Sequence, residues 1–186
     1  MEVTVVTKQL LVFAVLAMVG GSAIAQASGY VDQQDRALKA YSAAEVSDLR
    51  AGKGMGFAKT AELNGYPGPS HVLQHADALG LSADQRSATE QLMTAHRARA
   101  QGLGEALLQA EAALEAAFAN RTVSAEELER LTLAVGREQA LLRAEHLRTH
   151  LAQTQLLNAA QIEQYSALQG YRGAAIPEVM QRHSHH

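Results

Sequence analysis

From Ala83 to about Phe118, and again from Ala125 to about Gln155, no proline interrupts the chain. Leu92, Leu103, Leu107, Ala110, Leu114 and Ala117 in the first stretch, and Leu128, Leu131, Val135 and Leu142 in the second, recur at three- and four-residue steps. That period places the apolar side chains on one stripe of a helix. At 1.5 Å rise per residue the first helix is about 50 Å long. The one break, Asn120-Arg121-Thr122-Val123, is so short that the two helices must fold back on each other as an antiparallel hairpin. The second helix carries another apolar face, Leu133, Ala140, Ala144, Leu147 and Leu151. One hairpin cannot bury both faces, so a second copy of the chain or the N-terminal helices must cover one of them.

Composition agrees with an all-α reading and removes several kinds of chemistry. Aromatic residues make up only 4% of 186 residues, against an abundance of Ala, Leu, Gln, Glu and Arg, which favours helices packed through small side chains over any β fold. The length suits one domain. There is no cysteine, so disulfides, thiolate zinc sites and cysteine nucleophiles are excluded, and a metal could be held only by His, Met or carboxylate. A net charge of −3 with no basic, aromatic-interleaved stripe gives no reason to expect nucleic acid as a partner. No glycine-rich phosphate loop, H-E-x-x-H or G-x-S-x-G sequence is present, and nothing suggests an enzyme.

Four helix starts show a short polar cap followed three residues later by Glu or Gln: Ser42 with Glu45, Ser82 with Gln85, Ser124 with Glu127, and Asn158 with Gln161. Between the first two, Gly52-Lys53-Gly54-Met55-Gly56 and Gly65-Tyr66-Pro67-Gly68-Pro69 enclose a short helix predicted near Phe57 to Leu63. Another is predicted from Ser70 to Leu79, ending at Gly80. Gly102, Gly104 and Gly136 sit inside the long helices, where close approach or bending would account for them. At the N-terminus, Lys8, an apolar run from Leu10 to Val19 and Ala23-Ile24-Ala25 read as a cleavable export signal, with an uncleaved membrane anchor as the alternative. The expected divisions are residues 1–25 as signal, 26–80 as short helices and loops, 81–170 as the hairpin with a closing helix, and 171–186 as a tail containing histidines. An exported, periplasmic protein follows from this.

Histidines carry what chemistry there is. His71 and His75, and His146 and His150, are four apart, so each pair projects from one helical face. Met93 and His96 are three apart and combine a thioether with an imidazole. A hairpin turning between Arg121 and Thr122 sets residue 96 opposite residue 147, level with His146 and His150, and the helical angles turn all three rings toward the seam. A reversal between Gly80 and Leu81 likewise brings His71 near Met93. His96, His146 and His150 are therefore the main candidate ligands, with His71, His75 and Met93 as further ones, for a divalent transition metal such as Ni, Co, Cu or Zn. Against this, an inward histidine is often a satisfied core residue, and Arg99 in the same stripe would repel a metal unless a carboxylate such as Glu145 neutralises it. The ending His183-Ser184-His185-His186 is an accessory metal binder or a solvated tail.

Leu81-Ser82-Ala83-Asp84-Gln85 and Leu157-Asn158-Ala159-Ala160-Gln161 resemble the paired L-T-x-x-Q motif of the Spy/CpxP superfamily, with Thr replaced by Ser82 and Asn158. Glu62 to Pro69 and Tyr165 to Tyr171 resemble its periplasmic heavy-metal sensor and resistance branch. The resemblance implies an all-helical, cradle-like homodimer acting in envelope stress. It implies either a metal-binding protein reporting to a membrane sensor or anti-sigma factor, or an ATP-independent chaperone that holds unfolded protein clients. The candidate ligands come from spacing and not from the family.

Overall fold

A computed structural model describes residues 29–171. The proposed export signal and the histidine tail lie outside the described residues. The described residues fall into two units that part between Asp32 and Gln33, and a 3-10 turn at Val31–Gln33 spans that boundary in sequence. The helices of the second unit are α1 (Ala43–Arg50), α2 (Lys59–Glu62), α3 (Pro69–Gln74), α4 (Ala83–Ala119), α5 (Ala125–Leu156) and α6 (Ala159–Leu168), and no strand occurs among the described residues. None of the described helices is long and apolar enough to cross a membrane.

The helix starts follow the caps. Ser42, Ser82 and Asn158 each accept from the backbone N–H three residues on, and the Glu45, Gln85 or Gln161 side chain returns the bond. At Ser124 only half the box forms. Its hydroxyl accepts from Glu127 N at 3.2 Å, but the Glu127 carboxylate turns to Arg130, at 2.8 and 2.6 Å. The guanidinium fork matches both carboxylate oxygens and outcompetes a single backbone donor. The two short helices are shorter than predicted. α3 ends at Gln74 because His75 leaves helical geometry (φ −104°, ψ 17°), and looser turns then carry Ala76 and Leu79 into the core. His75 is thus the C-cap of α3, its N–H still bonded to His71 O at 3.1 Å.

α4 and α5 form the antiparallel hairpin, turning through Arg121 in the left-handed region (φ 55°). The register matches the expectation: His96 meets Glu145 and Thr149, and Gln153 Nε2 donates to Thr89 Oγ1 at 3.2 Å. Along the seam the packing changes character. Ala100, Leu107, Leu108 and Leu142 form an apolar cluster with Leu49 of α1. Toward the open end Thr89, His96, Glu145, His146, Thr149 and Gln153 are buried instead. A second apolar cluster, Val72, Leu79, Leu157, Ile162 and Tyr165, closes that end. There the two capping glutamines bond each other: Gln85 Nε2 donates to Gln161 Oε1 at 2.9 Å, and Gln161 Nε2 returns a bond to Gln85 Oε1 at 3.0 Å.

The predicted stripe is less continuous near the turn. Leu114 and Ala117 are only half-buried and Leu128 is exposed, since a two-helix hairpin offers no third layer there. On the second face of α5, Leu133 and Leu151 are 65% and 50% exposed, so the N-terminal helices leave it uncovered.

Only one of the three helical glycines is explained by close approach. A Cβ on Gly104 would fall 2.4 Å from Leu49 O and 3.0 Å from Leu49 C, whereas one on Gly102 or Gly136 would meet nothing within 4 Å. Gly104→Ala is therefore expected to destabilise the protein by about 1–3 kcal/mol through overpacking against backbone. Gly136→Ala should stabilise it by up to about 1 kcal/mol through helix propensity. Urea unfolding of the two variants reads both signs.

Candidate functional site

Five of the six candidate ligands, His71, Met93, His96, His146 and His150, line one cavity of about 770 Å³. Its walls are the facing turns of α4 and α5, its rim is the Gly52–Gly56 loop, and α2 and the start of α3 complete it. The size lies in the usual range for a small-ligand site. His75 stands outside it.

Within the seam, His96 Nδ1 lies 2.9 Å from Thr149 Oγ1 and 3.3 Å from Glu145 Oε1. The Thr149 hydroxyl donates to Glu145 O at 3.0 Å, so its oxygen accepts from His96, and the imidazole is held with its proton on Nδ1. The ring's lone pair is then on Nε2. Arg99 Nε donates to Glu145 Oε1 at 3.1 Å, so the cation that would have opposed a metal is paired with the carboxylate foreseen for it. His146 stands edge-on to His96, ring centroids 4.7 Å apart, and is stacked on Phe57. It is 4% exposed, and its Nε2 is buried without a hydrogen-bond partner. Burial, reinforced by the adjacent His96 and His150, lowers the His146 pKa to about 4. Burial likewise lowers that of His96, against the opposing pull of Glu145. Both rings are neutral at neutral pH.

The second group surrounds Glu62, whose side chain is 11% exposed. Its Oε1 accepts a very close hydrogen bond from Tyr165 OH and another from Tyr171 OH at 3.3 Å, and stands 3.5 Å from His71 Nδ1. Its Oε2 stands 3.4 Å from His150 Nδ1. Burial and then the carboxylate raise the pKa of both tyrosines, which stay protonated and donate. His150 Nδ1 donates to Tyr66 O at 2.8 Å, and since a carbonyl can only accept, this ring too carries its lone pair on Nε2. Beside that nitrogen Gly68 leaves room: a Cβ there would lie 3.1 Å from His150 Nε2. His71 Nδ1 faces the oxygens of Tyr165 and Glu62, which fixes the same tautomer a third time.

In His71, His96 and His150, Nδ1 is thus turned to a carboxylate, hydroxyl or carbonyl, the second partner a metal-binding imidazole uses to orient its other nitrogen. As the side chains stand, no three His, Asp or Glu among the described residues are grouped to hold one ion. His150 leans from the seam to the Glu62 side, because Tyr66 O offers its nearest acceptor.

None of Glu62, Thr149, Tyr165 and Tyr171 was a candidate site residue in the sequence; Glu62, Tyr165 and Tyr171 entered only as the ends of the two stretches that carry the family resemblance. Thr149 had a signal, since it lies four residues after Glu145 on the face it shares with the seam. Glu62 had only the likeness of the stretch it opens, and its partners could not be read because its place depends on packing of a four-residue helix against α5 and α6 partners far along the chain. No protein-family model, curated protein or solved structure matches the chain.

Proposed function

We propose that this is a non-enzymatic metal-binding protein of the cell envelope, exported by its N-terminal signal and similar in role to the heavy-metal sensor and resistance branch of the Spy/CpxP superfamily. One observation carries the reading: His71, His96 and His150 line a single cavity, each with Nδ1 engaged by a protein partner, which leaves Nε2 as the nitrogen that would meet an ion. Imidazoles suit first-row divalent ions, and such an ion would supply a charge that the pair-held side chains answer by reorienting. His96, His146, His150 and His71 are the imidazoles that would hold Ni, Co, Cu or Zn, with Met93 and the carboxylate of Glu62 beside them. His71, with its side chain 46% exposed, has the freedom to move toward an ion. A membrane sensor or anti-sigma factor is the partner this role calls for, and the uncovered face of α5 suits a second copy of the chain.

That same face, with Leu133 and Leu151 exposed, favours a second reading, an ATP-independent chaperone for unfolded clients. Calorimetric titration with Ni(II), Co(II), Cu(II) and Zn(II) at pH 7 separates the two. Binding is expected, and the combined change of His96, His146 and His150 to Ala should weaken it by about 100-fold or more. Unaltered binding in that variant overturns the site. No binding, with suppression of aggregation of a denatured client in the absence of metal, supports the chaperone.

A further inference from the structure

We propose that the cavity prefers a soft monovalent ion, Cu(I), and that the thioether of Met55 at its rim is the group that confers the preference, acting with Met93. The inference rests on the reading of the cavity as a metal site and names which ion it favours. Met55 and Met93 both line the cavity, and in a chain with no cysteine a thioether is the one soft ligand available.

One observation points to Met55 and a second, independent one to a monovalent ion. The Met55 backbone lies in the left-handed region, φ 42°, where a side chain bearing a Cβ is strained. The same loop uses glycine at 52 and 56, also at positive φ, and again at 54. Glycine at 55 would relieve the backbone, so the strain accompanies a side chain that the fold does not bury: Met55 is 37% exposed. Apolar packing therefore does not account for it. The second observation is charge. Lys59 and Arg97 line the cavity together with Lys53, which is paired with Asp48 at 2.7 Å, and Glu62 is the sole acidic lining residue. Repulsion from fixed cations scales with the charge of the ion, so a monovalent ion meets half of what a divalent ion meets. Uncharged ligands, thioether and neutral imidazole, suit Cu(I) on both counts.

The test compares Cu(I), delivered anaerobically against bathocuproine disulfonate as competing chelator, with Co(II) measured by calorimetry, on the full chain. Met55→Leu keeps the shape and removes the sulfur. The ratio of the Cu(I) to the Co(II) association constant is expected to fall by about tenfold or more. Met55→Gly should lower the ratio equally, with a melting temperature no lower than that of the unaltered protein, which excludes misfolding as the cause. A ratio unchanged in both variants, with Co(II) still bound, overturns the role of Met55 and leaves the metal site standing. Failure of the unaltered chain to bind either ion overturns both.

Discussion

Taking the metal-free protein from pH 6.5 to pH 4 is expected to remove about 3 kcal/mol of its stability. His146 titrates near 4 in the folded protein, against 6.5 for an ordinary imidazole, because its ring is buried beside His96 and His150. In this interval the unfolded chain takes up the proton and the folded chain does not. The stabilisation is therefore complete above pH 6.5, declines as the pH falls, and is exhausted below about 4. His96 shifts in the same direction. The charged groups facing the pair are Glu145, which opposes the shift, and Arg99 and Arg148, which hold that carboxylate. Urea unfolding at several pH values reads the slope, and His146→Phe, which keeps an aromatic ring against Phe57, should flatten it. A stability independent of pH over this range would mean that the ring is solvated.

Glu62→Ala is expected to destabilise the protein by about 3 kcal/mol, within the range for breaking a buried charged network. The loss arises from what is left behind. Tyr165 is 1% exposed, and its hydroxyl would lose its acceptor, while Tyr171, His71 and His150 would each lose a partner. Tyr165→Phe removes the donor together with its need, so the double variant Glu62→Ala/Tyr165→Phe should lose less than the two single losses added together. Chemical unfolding of the four proteins gives that coupling directly. Strict additivity would show that the tyrosine and the carboxylate do not act as one unit.

The hairpin was legible because its signals are local. The caps at Ser82 and Ser124, the absence of proline and the four-residue break at Asn120 fix two helices and their register, and the register alone brought His96 level with His146. The pairing of Arg99 with Glu145, named from the sequence only as a condition for a metal site, fits the same register. Contacts between segments distant in sequence left no such trace. Both glutamine caps could be read separately, but their mutual bond requires α6 to fold back on the start of α4. Gly104 could be read as either a bend or a close approach until Leu49 O was placed against it. The end of α3 was misjudged because His75 and Ala76 have no breaking propensity, and it is the packing of Ala76 and Leu79 that draws the chain out of the helix.

Nitrogen NMR of the histidine rings in the 15N-labelled chain, before and after addition of Zn(II), bears most directly on the metal reading. Without metal, His71, His96 and His150 are expected as Nδ1–H tautomers with unprotonated Nε2, following the hydrogen bonds to Glu62, Thr149 and Tyr66 O. With Zn(II), the Nε2 signals of the cavity histidines should move while their Nδ1 protons remain. Cavity signals left untouched, with shifts confined to His183, His185 and His186, would contradict the account.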